Sequence, residues 1–272
     1  MIMLKTLRAT AASFLEALAV KNKTLITVED AVGVTHSNRH QAAVFLGQLA
    51  RRGILTRLRR GLFAVVPFGK EQEFGNAFRV GSALAGPEPH FISHLGALAF
   101  HNLLVQPSRT VHVTVGKTKR PREIGPTRFE FVVVPRARLW GFREEWVTST
   151  DRAPISDLER TLLDGCLRPD LCGGILELGR ALWMSRGKLD FKRLLEYVKR
   201  FGKFAVAKRI GYLLDVYKLG PGRTREAIQD VGVRSPSYSL LDPILPAEGP
   251  YDSRWRLRLN VSPDELLAAT RT

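Results

Sequence analysis

The side chains with the clearest chemistry lie between residues 37 and 60, where polar groups and arginines could bind nucleic acid. On a helical wheel with Leu46 and Leu49 facing inward, several outward side chains can hydrogen-bond to base edges in a DNA major groove. The outward residues are Ser37, His40, Gln41, Val44, Gln48 and Arg51. At a predicted hairpin, cations that could reach phosphates or a minor groove are Arg57, Arg59 and Arg60. A protein-binding module with solvated arginines is the alternative interpretation.

A second set of charged residues occurs in the C-terminal half. In ISDLERTLLD, Ser156 and Glu159 have the spacing of a capping box, and Arg160 and Asp164 that of an ion pair along a helix. Nearer the C-terminus, RWRLRLN alternates strictly, which predicts a strand. Its apolar face would carry Trp255, Leu257 and Leu259, and its cationic face Arg254, Arg256 and Arg258. That cationic row could bind phosphates or carboxylates, or form the solvated face of a half-buried strand.

The sequence shows no motif or spacing of residues that is typical of a catalytic site. The sequence contains neither GxxxxGK[ST] nor GxGxxG. His94 and His101 share a helical face without a carboxylate or cysteine to complete a zinc site. Glu130, Glu144 and Glu145 do not form the carboxylate cluster that a metal-dependent nuclease requires. We therefore predict a protein that is not an enzyme and needs no cofactor or metal.

The charge of the 272-residue chain indicates a polyanionic partner. Its 42 Lys and Arg outnumber its 26 Asp and Glu, for a net charge of +16. Such a surplus favours nucleic acid, an anionic membrane surface or an acidic protein. Residues 1–68 hold ten of the cations and three of the anions, a net charge of +7. The N-terminal segment is therefore the predicted site of contact with DNA.

Cysteine usage and hydropathy predict a cytoplasmic protein. Cys166 and Cys172 are too few for a disulfide scaffold or a four-thiolate zinc site, and fit a reducing cytosol. The uncharged stretch 89–108 contains three His, an Asn, a Gln and two Pro, so it is a poor membrane span. The N-terminal run ATAASFLEALAV resembles a signal peptide, but Glu16 interrupts it and no small-residue cleavage site follows. We predict no contact with a membrane.

The order of elements in residues 1–68 predicts a winged helix-turn-helix. A first helix is indicated by the spacing of Leu4, Leu7, Ala11, Phe14, Leu15 and Leu18. TVEDAVGV predicts a short helix capped by Thr27, with a turn near Gly33. A longer helix should start near Thr35 or Ser37 and end about Arg52, before Gly53. Its predicted inward residues are Ala42, Ala43, Leu46 and Leu49. ILTRL and LFAVV then form a hairpin.

The remaining sequence predicts a linker followed by a larger mixed domain, giving an α+β fold overall. Residues 69–89 form the linker or a connecting helix, and 90–272 the second domain, with a helix from FIS onward capped by Ser93. Strands are predicted at 110–115, 129–134 and 254–260, and helices at 156–168, 174–186, 190–200 and 204–219. The first two strands flank a basic turn with Lys117, Lys119, Arg120 and Arg122.

Motifs spread over the whole chain resemble one bacterial family. They are, in order, LARRGILTRLRRGLFAV, ISHLGALAFHNLL, SDLERTLLDGCLRPDLCGGI, AKRIGYLLD and YSLLDPILPAEGPYDSRWRLRLNV. In this order and spacing the chain resembles the antitoxin and transcriptional regulator of AbiE-type abortive-infection systems, which are type IV toxin-antitoxin systems.

The resemblance implies two activities and assigns residues to each. An N-terminal winged helix would bind inverted repeats in the operon's own promoter and repress it. The matching DNA-binding positions are Ser37, Arg39, His40, Gln41, Arg57, Arg59 and Arg60. The C-terminal domain would counteract a nucleotidyltransferase-like toxin, directly or indirectly. The matching positions there are Asp157, Glu159, Arg160, Asp164, Asp242, Arg254, Arg256 and Arg258. The alternative is that these eight residues have purely structural roles.

Two other classes of function remain open from the sequence. The C-terminal domain could be an enzyme, either a nuclease or a modifier of the toxin. Alternatively, the chain could be a plain repressor with a ligand-sensing C-terminal domain.

Overall fold

The computed structural model of the chain describes residues 9–66 and 75–271. Leu4 and Leu7 of the predicted first helix, and the first part of the predicted linker, lie outside these ranges. The described residues form an α+β fold with an N-terminal unit (residues 9–66) and a second unit (residues 75–271).

The N-terminal unit consists of three helices and a small antiparallel sheet with strand order β1-β3-β2. Its elements are α1 (Ala9–Val20), β1 (Leu25–Thr27), α2 (Val28–Thr35), α3 (Arg39–Arg51), β2 (Leu55–Arg59) and β3 (Leu62–Val65). Apolar residues at helical spacing build its core, because each helix turns one stripe of side chains inward. The buried side chains include Phe14, Leu18, Ile26, Ala42, Leu46, Leu49 and Phe63.

Three local predictions for this unit are corrected. Gly33 lies inside α2, and the turn falls instead at His36, which has a left-handed backbone conformation with φ of 51°. α3 begins at Arg39 because Asn38 supplies its N-cap. Ala43 is exposed, so the inward stripe of α3 is narrower than predicted. Gly53, with φ of 70°, follows α3 in the predicted left-handed conformation.

The second unit is built on a six-stranded mixed sheet with strand order β6-β7-β5-β4-β9-β8. The strands are β4 (His90–Ser93), β5 (Thr110–Val115), β6 (Arg122–Ile124), β7 (Thr127–Val133), β8 (Phe142–Trp146) and β9 (Arg152–Ser156). Two helices, α4 (Ala77–Ala85) and α5 (His94–Phe100), contact the sheet. The residues FIS, predicted as helix, form the end of β4. Ser93 occupies the N-cap position of α5, but its side chain makes no capping hydrogen bond.

Helices make up most of the C-terminal half and enclose the largest apolar core. They are α6 (Leu158–Leu167), α7 (Gly174–Met184), α8 (Phe191–Phe201), α9 (Phe204–Val216), α10 (Gly222–Gly232) and α11 (Pro263–Ala268). A small sheet beside them pairs β10 (Ser239–Leu240), β11 (Tyr251–Asp252) and β12 (Leu257–Arg258). The strand predicted at 254–260 is confirmed only for β12, and its N-terminal part is wrong because residues 253–256 form a turn.

One apolar cluster joins the two units. Leu58 and Leu62 of the N-terminal hairpin lie in the same cluster as Val80 and Leu84 of α4 and the inner residues of the six-stranded sheet. The predicted linker region therefore contains a helix whose apolar side is enclosed between the hairpin and the sheet. This arrangement holds the hairpin close to the strands of the second unit.

Candidate nucleic-acid interface

Side-chain capping boxes define the starts of both α2 and α3. Thr27 Oγ1 accepts a hydrogen bond from the Asp30 amide (3.2 Å), and Asp30 Oδ2 accepts one from the Thr27 amide (2.8 Å). This reciprocal pair is a capping box, with Thr27 at the predicted N-cap. Asn38 and Gln41 form a second box at the start of α3. In the turn between the two helices, the left-handed His36 ends α2 and the Asn38–Gln41 box starts α3.

The outer face of α3 carries most of the side chains predicted to contact DNA. Exposed residues on it are His40, Gln41, Val44, Gln48 and Arg51. Ser37, in the turn, is half-buried and shares a 2.7 Å hydrogen bond with Thr35. Arg39 is exposed but forms an ion pair with Glu29 of α2. Because Gln41 Oε1 accepts the capping hydrogen bond, its amide NH2 is the group left to donate to a ligand.

The β2–β3 hairpin displays three exposed arginines, Arg57, Arg59 and Arg60. The turn closes at Gly61, whose φ of 75° suits a residue without a Cβ. Strand register shifts between Arg57 and Arg59, so a bulge interrupts the ladder there. Within residues 9–66 and 75–271, none of the three arginines has an ion-pair partner. Their positive charge is therefore available to an external anion.

A cationic groove between the hairpin tip and the second unit is the feature that sequence reasoning missed. Arg59 lines it together with Lys119, Arg120 and Arg122, which lie in or just after the connection from β5 to β6. The groove has a volume of about 230 Å³. An adjoining cleft of about 270 Å³ shares Arg59 and Lys119 with it. The sequence identifies the basic turn but carries no signal that it lies beside the hairpin.

Arg160, one of the residues matched to antitoxin function, is buried at the centre of the second unit. Its guanidinium lies over the rings of Phe91 and Trp140 at 5.1 and 4.4 Å and donates to the carbonyl oxygens of residues 138 and 140. Its Nε is 3.0 Å from Asp164 Oδ2, which confirms the predicted ion pair, although the angle is too poor for a hydrogen bond. Burial raises the pKa of Asp164 to about 6.

The predicted capping box at Ser156 and Glu159 is wrong. Asp157 caps α6 instead, accepting a 2.9 Å hydrogen bond from the Arg160 amide. Ser156 is the last residue of β9 and donates to the Ile92 carbonyl. Glu159 is buried and accepts a 2.8 Å hydrogen bond from the Asp190 amide, which ties α6 to the start of α8.

Asp242 also makes contacts within the fold. Its Oδ2 accepts from the Ile175 amide at 2.8 Å, and its Oδ1 accepts from the Ile244 amide at 3.1 Å. Asn260 hydrogen-bonds to the Asp242 backbone in both directions. The side chain therefore holds the loop after β10 against the start of α7.

The three C-terminal arginines do not form the predicted cationic ridge, because two of them lie in a turn. Arg254 forms an ion pair with Asp215 at 3.3 Å. Arg256, with a left-handed φ of 50°, donates to the Val233 carbonyl at 2.6 Å. Arg258 lies over the ring of residue 251. The three side chains point to different neighbours rather than to one ligand.

Two buried histidines and a glutamate form a small group of the residue types that catalytic sites use. The rings of His94 and His112 meet edge-on at 5.7 Å, and His112 Nε2 is 3.6 Å from Glu130 Oε2. Burial lowers the pKa of His94 to about 3 and also lowers that of His112, so both rings are neutral at pH 7. Within the described residues, no group of three or more His, Cys, Asp or Glu could hold a metal ion.

Both cysteines are buried free thiols, as the sequence predicts. Burial raises the pKa of Cys166 to about 12, and that of Cys172 is also raised well above its usual value. A thiol with such a pKa stays protonated at neutral pH and is a poor nucleophile. The arrangement around them is that of core residues.

Comparison with known proteins reveals a structural likeness at low sequence identity. No protein-family model and no curated protein matches the chain. Among solved structures, the chain is similar to the Rv2827c protein of Mycobacterium tuberculosis, with a TM-score of 0.72 and 17% sequence identity. The superposition covers 98% of this chain and 96% of that chain. At this identity the likeness concerns the fold, and it extends over both units.

Among the helices in the described part of the chain, none is both long and apolar enough to cross a membrane.

Proposed function

We propose that this chain is a DNA-binding autorepressor in which residues 9–66 act as a winged helix-turn-helix. The observation that carries this proposal is the sequence of α2, a capped turn, α3 and a hairpin whose three arginines are exposed and without ion-pair partners in the described residues. α3 would enter the major groove, where its outer side chains meet base edges. Arg57, Arg59 and Arg60 would neutralise phosphates beside it.

The operator follows from the family resemblance. It would consist of inverted repeats in the chain's own promoter, with one copy of the protein on each repeat. In this proposal the exposed His40 and the amide NH2 of Gln41 would contact bases, while Arg39 would have to leave Glu29 to reach a phosphate. In this proposal the protein works in the cytoplasm and does not bind membranes.

The second activity in this proposal is that of an antitoxin against a nucleotidyltransferase-like toxin, exerted without enzymatic turnover or a cofactor. An exposed apolar surface in the C-terminal part supports contact with a protein. Tyr238 and Tyr251 meet edge-on there at 4.9 Å and are both exposed. In the loop between them, Ile244 and Leu245 are exposed as well. Arg254, which belongs to the same family motif, has a side chain that is about half exposed.

The DNA-binding proposal is tested by replacing Arg59 and Arg60 together. We expect the R59A/R60A variant to lose affinity for its own promoter and for random duplex alike, because phosphate contacts carry no sequence information. The slope of log K against log salt concentration should fall by about 2, roughly one for each neutralised contact. Fluorescence anisotropy across a salt series measures both quantities.

The matched control is K199A/K203A, which removes the same charge from two exposed lysines, one in the last turn of α8 and one at the N-cap position of α9. It should bind both DNAs nearly as the wild type does. If the hairpin variant behaves like this control, the hairpin is not a DNA-binding wing. If the wild type binds promoter and random duplex equally at every salt concentration, specific repression is wrong.

The antitoxin proposal is tested by co-expression with the nucleotidyltransferase-like toxin that the proposal expects to be encoded in the same operon. The wild type and R59A/R60A should both restore growth, because the hairpin serves DNA binding. Y238A/Y251A should fail to restore growth while still repressing the promoter. Growth rescue by this variant would place the antitoxin surface elsewhere, and the absence of any rescue by the wild type would contradict antitoxin function.

A further inference from the structure

The groove between the hairpin tip and the second unit has an unusual electrostatic lining. Its six lining residues include four cations, Arg59, Lys119, Arg120 and Arg122, and no carboxylate. Within the described ranges, none of the four has an ion-pair partner. Four like charges around one groove repel each other, and a bound anion relieves that repulsion.

The walls of the groove strengthen its attraction for an anion. The other two lining residues are Leu84 of α4 and Phe131 of β7. Apolar walls lower the local dielectric constant and focus the field of the surrounding cations. Arg122 pairs across β6 and β7 with Phe129, so both project from the sheet face that α4 covers. The fold thus directs the Arg122 side chain toward the N-terminal unit.

The adjoining cleft differs because it contains a carboxylate. Glu88 lies in it and accepts a 2.6 Å hydrogen bond from Lys117, which lowers the pKa of that carboxyl. The charge of Lys117 is therefore compensated within the protein. The uncompensated cations are concentrated in the groove lined by Arg59, Lys119, Arg120 and Arg122.

We infer that this groove is a second phosphate-binding surface, through which the six-stranded sheet contacts the same DNA duplex as the hairpin. The inference rests on the proposed DNA-binding function and extends it to residues of the second unit. Arg59 belongs both to the hairpin and to the groove. A nucleic-acid backbone bound at the hairpin tip would therefore continue along the groove and contact Lys119, Arg120 and Arg122. The chemistry recognised is the phosphodiester backbone, without regard to base sequence.

The test compares wild type with K119A/R120A/R122A and with the control K192A/K199A/K203A, which removes the same charge from α8 and from the N-cap position of α9. The three control lysines are exposed, and none of them lines the groove. Anisotropy titrations use both promoter and random duplex. At about 0.1 M salt the groove variant should bind both DNAs about 10- to 100-fold more weakly, with a salt slope lower by about 2 to 3. The control should change affinity by less than about twofold, because a distant charge is largely screened.

A hydroxyl-radical footprint shows which nucleotides the protein protects, and a general loss of positive charge does not change that pattern. The groove variant should lose protection at one flank of the site while keeping protection around the hairpin and α3. Equal affinity of the groove and control variants on both duplexes, or an unchanged footprint, would overturn the inference.

A second arm distinguishes DNA phosphates from a small phosphate ligand. Inorganic pyrophosphate is titrated into wild type and groove variant while thermal unfolding is followed. If pyrophosphate stabilises only the wild type and the groove variant keeps full DNA affinity, the groove is a small-anion site and the inference is wrong. If the proposed specific repression is wrong, the wild type will bind promoter and random duplex with equal affinity. The groove inference can still be tested in that case, by comparing the variants on random duplex.

Discussion

Arg160 is a buried cation whose charge is balanced by one carboxylate, two carbonyl oxygens and aromatic ring faces. It is 1% exposed, and Asp164 beside it is 4% exposed. Removing one partner of such a pair leaves an uncompensated charge in the core. The resulting loss of folding stability is larger than when both partners are replaced. The family-matched position therefore has a structural role that any test of antitoxin activity must separate from contact with a toxin.

We expect Arg160→Met to destabilise the protein by about 3–5 kcal/mol, because it leaves Asp164 and two carbonyl groups without their partner. The double variant R160M/D164L should recover part of that loss. Urea denaturation followed by tryptophan fluorescence measures both. A double variant no more stable than the single one would show that the pair does not act as a unit.

His94 provides a test of pH dependence. Since its pKa is lowered to about 3 in the folded state, the folded ring stays neutral where the unfolded ring takes a proton. Stability should therefore be lost as pH falls from about 6.5 toward 3, by about 3 kcal/mol between pH 7 and pH 4 from this group. His94→Asn, which tolerates the left-handed backbone of this position, should flatten that dependence.

The matched control is His36→Asn, at an exposed position with the same left-handed backbone conformation. It should leave the pH dependence of stability unchanged. The dependence left in the His94 variant comes partly from His112 and His90, whose pKa values burial also lowers. Equal slopes in wild type and H94N between pH 7 and pH 4 would refute the assignment.

At the scale of elements, a glycine on α9 determines how the C-terminal segment joins the helices. A Cβ at Gly211 would overlap the indole of Trp255, which is buried and donates from Nε1 to Asp215 at 2.8 Å. The close approach lets Trp255 lie flat on α9 and close the core. RWRLRLN alternates like a strand, yet this tryptophan contact and the turn around it determine its conformation.

Gly211→Ala should destabilise the protein by about 1–3 kcal/mol, because overpacking forces the tryptophan or the helix to move. Gly187→Ala is the control, since a Cβ there meets nothing within 4 Å. Thermal unfolding and the near-ultraviolet circular dichroism of tryptophan should both change in the first variant only. Similar melting temperatures for the two variants would contradict the predicted overlap.

At the scale of the whole molecule, one apolar cluster is shared by hairpin, α4 and sheet, so we expect the two units to unfold together. All four tryptophans lie between residues 140 and 255, outside the N-terminal unit. Tryptophan fluorescence therefore reports on the second unit alone. A substitution in the hairpin that shifts this signal reveals coupling between the units.

We expect Leu58→Ala, in the hairpin, to lower the stability seen by tryptophan fluorescence by about 2–5 kcal/mol, because it opens a cavity in the shared cluster. Circular dichroism at 222 nm should give the same midpoint. An unchanged fluorescence midpoint, with an earlier transition in circular dichroism, would show that the units unfold independently.

Local sequence patterns determined many of the caps, turns, helices and strands of this protein. Thr27, Gly53 and the turn at Gly61 could be located from the sequence, because capping and positive-φ requirements depend on neighbouring residues. Helices α6 to α9 and strands β5 and β7 follow from periodicity, since their side chains repeat at the spacing of the element.

Only the tertiary structure decided which distant residues meet. Arg160 and Glu159 look like surface helix residues until the neighbours that enclose them are in place. The groove unites Arg59 with Lys119, Arg120 and Arg122 because α4 packs between hairpin and sheet, and no local pattern encodes a contact between residues about 60 positions apart. The sequence alone therefore predicts a basic N-terminal unit, whereas the folded chain extends the cationic surface into the second unit.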